Sequence, residues 1–309
     1  MSDFVRLNSS VCTFNSSDSW VILSPIEQSI KNKIESVGTP LCDWDINIYR
    51  GVLTGYNEAF IIDSAKRDEI LSNCKTEDER TRTAELIRPI LRGRDIKRYG
   101  YDWANLWLIA TFPARHYDIE KYPAVKEYLL SIGIEKLEQT GKTHVIHGET
   151  IKARKKTNNK WFETQDSISY WDDFFKPKIV YGQFQDGAEY SFAEAGVFLS
   201  SNEYMLITKD YSSKCLLAFL NCKASEWLLG NITGNLGGNA KISQKSNFLK
   251  LSIAVLSTEE QIAFDNIVGN ILALKKEHKD TSDFEKRIDK LVYSIYGFTD
   301  QEIKEIESV

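Results

Sequence analysis

The stretch LIRPILRGRDIKRY, Leu86 to Tyr99, sets Arg88, Arg92, Arg94, Lys97 and Arg98 against one carboxylate, Asp95. Guanidinium forks and ammonium groups at this density suit phosphate oxygens and the O6/N7 edge of guanine. They suit equally a structural turn in which Arg92 and Arg98 pair with carboxylates inside the protein. Gly93 separates Arg92 from Arg94, and its missing side chain permits a close backbone approach. A second concentration of charge lies in residues 142–160, where Lys142, Lys152, Arg154, Lys155, Lys156 and Lys160 face only Glu149. That segment reads as an exposed loop, either merely solvated or in contact with a polyanion. Amides that can read adenine sit at turns or strand ends as Asn57, Gln183 and Gln185.

Signals for bond-making chemistry are weak by comparison. His144 and His147 lie in HVIH, without a cysteine or a third ligand nearby, and read as loop histidines rather than a metal site. GNLGGNAK, Gly234 to Lys241, has the glycines of a phosphate loop but lacks the Gly-Lys-Ser/Thr ending, so a hinge or a strand-tracking loop carrying Lys241 fits better. No GxSxG elbow occurs. Glu277-His-Lys279 and Glu302-Ile-Lys304 match half of a nuclease signature, but on amphipathic helices such pairs are ordinarily solvated. Neither an NPPY-type motif nor a glycine-rich strand–turn–helix for a methyl donor is present. The residues describe a binder rather than a catalyst.

The elements that must position these groups follow from capping and periodicity. Ser24-Pro25-Ile26-Glu27 opens a capped helix to about Val37. INIYRGVLTGYNEAFIID reads as two extended segments around a turn with Gly51 and Gly55. Thr76 with Glu79 caps a helix running toward Pro89, and LWLIATF, Leu106 to Phe112, reads as a buried strand. KPKIVYGQF and EYMLIT resume strand character, SSKCLLAFLNCKASEWLLGNI reads as helix, and LKLSIAVL as a last strand. Three capping boxes then follow, Ser257 with Glu260, Ser282 with Glu285, and Thr299 with Glu302, predicting two antiparallel helices and a short third. Trp103, Trp107 and Trp171 read as core rather than as base-stacking platforms.

With 309 residues, 42% hydrophobic and 27% charged, the chain has the make-up of a globular protein large enough for one or two domains. No apolar run approaches the roughly 20 residues of a membrane span. Five scattered cysteines without a CxxC pair indicate reduced thiols in a cytoplasm. Residues 258–309 carry 7 Lys/Arg and 12 Asp/Glu, leaving 32 of each sign before them. The net charge of -5 therefore belongs to the tail, and a local cationic patch in the body remains free to act.

RGVLTGYNEAFIID, Arg50 to Asp63, followed by LIRPILRGRDIKRY, resembles the paired signature of the TaqI-like C-terminal specificity domain. That domain belongs to type IIG restriction–methylation enzymes and related adenine-specific DNA methyltransferases. YWDDFFKPKIVY, LLAFLNCKASEWLL and IDKLVYSIYGFTDQEIKEIE follow in the expected order. The resemblance implies an α/β (mixed α+β) target-recognition domain, with a mixed, twisted sheet and a C-terminal antiparallel helical segment. It implies a lead-in with a capped helix over residues 1–45, the recognition domain over 46–257 and helices over 258–309. Double-stranded DNA would be the partner, together with a methyltransferase domain that would hold S-adenosylmethionine; this chain itself would hold no cofactor, metal or catalytic group. Ser19–Pro25 looks like the lead-in from that domain, which favours excision from a longer chain. RGxxTGxNxxF falls on Arg50, Gly51, Thr54, Gly55, Asn57 and Phe60, and LRGRDIxRY on Leu91 to Tyr99. The expected DNA contacts are Arg50, Thr54, Asn57, Arg92, Gly93, Arg94, Lys97, Arg98, Lys152, Arg154, Lys155, Lys156, Gln183, Gln185 and Lys241. Gly51, Gly55 and Asp95 would shape turns, Asp95 by orienting Arg94 or Arg98. A protein-interaction module using the tail helices, or a diverged nuclease, are the alternatives.

Overall fold

The computed structural model describes residues 23–146, 148–186, 188–232, 240–242 and 248–308. In chain order its main elements begin with α1 (Pro25–Val37), β1 (Gly38–Pro40), β2 (Ile46–Arg50) and β3 (Ile61–Asp63). Then come α2 (Ser64–Ser72), α3 (Glu77–Leu86), β4 (Ile87–Leu91), β5 (Ile96–Lys97), β6 (Gly100–Tyr101) and β7 (Leu106–Ile109). The middle of the chain supplies α4 (Pro123–Ile132), β8 (Thr143–Ile146), β9 (Glu149–Lys152), β10 (Lys178–Gly182), β11 (Phe184–Asp186), β12 (Tyr190–Ala193), β13 (Phe198–Leu199) and β14 (Glu203–Thr208). The rest is α5 (Ser213–Asn221), α6 (Lys223–Ile232), β15 (Ala240–Ile242), β16 (Ser252–Ala254), α7 (Thr258–Lys276), α8 (Ser282–Tyr296) and α9 (Asp300–Glu307).

Two four-stranded sheets organise this mixed α/β fold. One, in the order β12–β10–β14–β2, is antiparallel throughout. The other, β13–β4–β7–β3, is mixed, because β13 runs parallel to β4 while β4 and β3 oppose β7. Alternate side chains of the first sheet face opposite ways, as a pleated strand requires. Ile179, Tyr181 and Leu206 enter a core shared with α1, α5, α6 and the C-terminal helices, whereas Val180 and Met205 enter the core of the second sheet. Helix α1 thus joins residues 258–307 around one sheet face, its Ile30 and Ile34 inside that core. No described helix is long and apolar enough to cross a membrane.

Local chemistry sets most helix starts. Reciprocal capping boxes form at Ser24/Glu27, Ser257/Glu260 and Thr299/Glu302, and Thr76 caps α3. The expected Ser282/Glu285 box does not form. Thr281 occupies the cap, and its hydroxyl donates to Glu285 instead. The expected single helix after Ser212 breaks into α5 and α6 at Cys222, which is extended. Asn221 explains the break: its amide exchanges hydrogen bonds with both backbone groups of Tyr190, and Asp289 accepts from the Lys223 N–H that opens α6. Residues 143–152, read as loop, form the antiparallel hairpin β8–β9 around Gly148 at φ +84°. The alternation of THVI and ETIK suits a strand, and the dense charge hid it.

Glu302 anchors α9 onto α1. Its carboxylate caps Thr299 and accepts from Ser29 Oγ at 2.7 Å and Lys33 Nζ at 2.7 Å. Although burial works to raise its pKa, Lys33 and these donors hold it down at about 2. The folded pKa lies below the unfolded one, so this contribution is complete above pH about 4.5 and drains away as pH falls toward 2. Glu302→Gln is expected to cost about 1–2 kcal/mol at pH 7 and to flatten that acid loss in urea titrations. Equal acid sensitivity in both proteins would refute the assignment.

Candidate nucleic-acid interface

One end of the antiparallel sheet gathers the arginine-rich motifs. Strand β2 ends at Arg50, β10 ends at Gly182 with Gln183 following, and β14 begins at Glu203. The turn Ser200–Glu203 sits between them. The Gly51 N–H donates to Glu203 O at 2.8 Å and the Val52 N–H to Leu199 O at 2.7 Å. A Cβ on Gly51 would meet Ser200 O at 1.9 Å, so backbone contact leaves no space for a side chain there. Gly55 takes φ +79°, the left-handed turn that glycine tolerates.

The Arg92–Asp95 turn docks on the same end. Glu203 is buried and accepts from the Gly93 N–H; a Cβ on Gly93 would lie 3.0 Å from Glu203 Oε1. Burial raises the Glu203 pKa, while the Ser200 hydroxyl and the Gly93 and Asn202 N–H groups oppose the rise. Asp95, also buried, grips Arg92: its carboxylate accepts from Arg92 Nε at 3.0 Å, Nη2 at 2.8 Å and the Arg92 N–H at 2.9 Å. Asp95 therefore orients Arg92, not Arg94 or Arg98, because the single 3₁₀ turn brings residues three apart together.

The predicted contacts divide sharply. Arg94 and Lys97 are exposed and enter no ion pair among the described residues. Arg50 is exposed as well, its guanidinium donating to Ser201 O and to Asn202 Oδ1. Gln183 lies beside it, its N–H donating to Asn202 O at 2.8 Å. Arg98 instead bridges to α8 through Glu285 at 2.7 Å and to α6 through Glu226 at 4.0 Å. Although burial works to lower it, the surrounding negative groups raise its pKa. The sequence places it among the DNA contacts; in the described fold it also serves as a strut.

Arg154 requires a larger correction. It is 4% exposed and donates to the carbonyls of Leu137, Thr54, Glu163 and Trp161, so it cannot reach a duplex. Thr54 is wholly buried, its hydroxyl donating to Asn57 Oδ1 at 2.6 Å, and acts by shaping the turn that leaves Asn57 exposed. Lys152, Lys155 and Lys156 are exposed around Arg154 and tied through it to the Thr54–Gly55 turn. The side chains of Gln185 and Lys241, like His147 and residues 233–239, lie outside the description.

Several positions were missed by sequence reading. Asn202 links Arg50 to Gln183, and Glu203 fixes Gly93; the polar SSNE preceding EYMLIT was the available signal. Tyr170 stacks on Tyr49 with centroids 4.4 Å apart and donates its hydroxyl to Arg50 O. Trp103 and Trp107 pack edge to face, and Arg67 covers Trp107 at 4.1 Å. Lys279 pairs with Glu277, and Glu302 serves as the anchor already described. Among the described residues no three His, Cys, Asp or Glu gather as metal ligands.

Residues 88–250, more than half of the chain, match the family described as the TaqI-like C-terminal specificity domain. No curated protein sequence matches the chain. Solved structures that share the fold include the type IIL restriction–modification enzyme MmeI in complex with DNA and the type IIG restriction endonuclease BpuSI. The MmeI superposition covers 88% of this chain at TM-score 0.55 and 13% identity. For BpuSI the coverage is 89%, the TM-score 0.50 and the identity 13%. The chain spans 37% and 34% of those proteins, about a third of each. The matched residues run from Arg88 through the docked arginine turn and on through α5 and α6, and on that match the chain belongs to the TaqI-like C-terminal specificity domain family.

Proposed function

We propose that the chain is a double-stranded DNA recognition module of a restriction–modification enzyme, selecting the sequence at which a methyltransferase domain outside this chain modifies adenine. The observation that carries this reading is the sheet end, where family-matched residues hold Arg94 and Lys97 toward solvent without acidic partners among the described residues, beside Arg50 and Gln183. Bound and buried carboxylates fix the turn, so the free cations are pre-organised rather than floppy. Arg50, Arg94 and Lys97 would hold phosphates and set register, while Asn57 and Gln183 have the amides that read base edges. S-adenosylmethionine would belong to the methyltransferase domain.

If Arg50, Arg94, Lys97, Lys152, Lys155 and Lys156 all neutralise phosphates, log affinity should fall against log salt with a slope of roughly -5. Selection from a randomised duplex pool is expected to enrich one short motif. Arg94→Ala with Lys97→Ala should weaken binding to every duplex alike and flatten the salt slope by about 2. A pool that shows neither retention nor enrichment at low salt would reject the reading.

A further inference from the structure

The β5–β6 ribbon and the end of α7 line a cleft of about 1180 Å³ beside Arg98. Lys97, Arg98, Lys214, Lys275, Lys276 and Lys279 line it. Three acids share the lining, Asp102, Glu189 and Glu194, in a chain whose overall charge is -5. Nearby acids pair with four of these six cations, Lys279 with Glu277 among them. Glu194 accepts from Tyr101 Oη and Lys276 Nζ, both at 2.8 Å, and Glu285 serves Arg98 and Lys275. Lys97 and Lys214 enter no ion pair among the described residues.

We propose that this cleft is a second seat for the phosphate backbone of a DNA duplex, assembled jointly by the arginine-rich motif and the C-terminal helices. The proposal rests on the DNA-recognition reading and extends the contact surface to α5 and α7, the latter beyond the matched residues 88–250. Three features favour a phosphate chain. The cations are mostly lysines, mobile point charges that follow an irregular run of phosphates. They stand on both walls, and the walls meet at the base, where a Cβ on Gly100 would lie 3.7 Å from Lys275 Cβ. Lys97 itself belongs to both regions, so a strand held at the sheet end has a continuous cationic path into the cleft.

The test uses the full chain and a fluorescein-labelled 30-base-pair duplex of arbitrary sequence, titrated between 50 and 200 mM salt. Lys214→Glu with Lys279→Glu should weaken binding about tenfold at the lowest salt and flatten the salt slope by about 2. Lys214→Gln with Lys279→Gln, which avoids new repulsion within the cleft, should move the slope in the same direction. Lys286→Glu with Lys290→Glu makes the same charge change on exposed positions outside the cleft and should shift affinity less than about twofold. Cleft variants that bind like this control would overturn the proposal. If they do so while Arg50→Ala with Arg94→Ala still loses binding, only the cleft falls. A wild-type chain that retains no duplex at all sinks both readings together.

Discussion

Replacing Arg154 by alanine is expected to destabilise the fold by about 4 kcal/mol, a large fraction of the roughly 5–15 kcal/mol that holds a typical domain folded. Five N–H···O contacts run from its guanidinium to four backbone carbonyls: Nε and Nη2 to Leu137, Nη1 to Thr54 and Glu163, and Nη2 to Trp161. Burial lowers its pKa to about 10, with Glu163 acting against the fall, so the group stays charged at neutral pH. A buried charge is tolerable when every donor is satisfied, and here the planar fork matches carbonyls arriving from three directions. Alanine strips the donors from the Leu137 and Trp161 carbonyls, at about 1–3 kcal/mol for each that water cannot reach, while Thr54 O keeps the Gln165 N–H and Glu163 O the Gln139 amide. Lysine should recover little, since one ammonium cannot span the fork. Lys155→Ala and Lys156→Ala, at exposed positions next along the chain, should each stay within about 0.5 kcal/mol of wild type. Urea unfolding of the four variants decides the matter. An Arg154→Ala protein as stable as its neighbours' variants would mean the carbonyl cage is not closed.

That contrast marks where sequence reading succeeds. Capping boxes three residues apart are local chemistry, and Ser24, Ser257 and Thr299 were legible for that reason. Gly55 could be placed in a turn because the spacing of its neighbours demands one. Arg154 was not legible, because nothing in ARKK distinguishes the residue that four carbonyls, one of them 100 residues away, will surround. Arg98 was equally opaque, its partner Glu285 lying 187 residues away. The arginine-rich stretch therefore mixed two uses that composition cannot separate. Arg92 and Arg98 hold the domain together, Arg94 and Lys97 face outward, and the difference depends on which carboxylates the tertiary fold delivers. A family resemblance carried the motif as a block and so carried both uses at once.

The stability of the wild-type chain relative to Lys178→Met is expected to climb by about 3 kcal/mol as pH rises from 8 to 10.5. Lys178 is wholly buried at the start of β10, donating to Phe174 O at 2.7 Å and to Lys176 O and Glu194 O at 3.1 Å. Burial lowers its pKa from 10.5 to about 8, with Glu194 opposing the change. Below pH 8 both folded and unfolded chains hold the proton, and the desolvation penalty is constant. Between 8 and 10.5 the unfolded chain binds the extra proton, so raising pH favours the folded state; above 10.5 the effect is complete. Burial pushes the Tyr99 and Tyr181 hydroxyls upward, an opposing trend at high pH that the methionine variant shares, so only the difference between the two curves is diagnostic. Parallel curves would show that Lys178 keeps an ordinary pKa and is solvated. A widening gap would explain why a lysine occupies KPKIVY at all. It ties the turn Trp171–Phe175 to β10 and β12, and the adjoining Tyr170 supports Arg50 from beneath. The pH-dependent bond then sits two contacts from the proposed DNA surface. Its disruption should loosen Arg50 without touching a residue that faces the duplex.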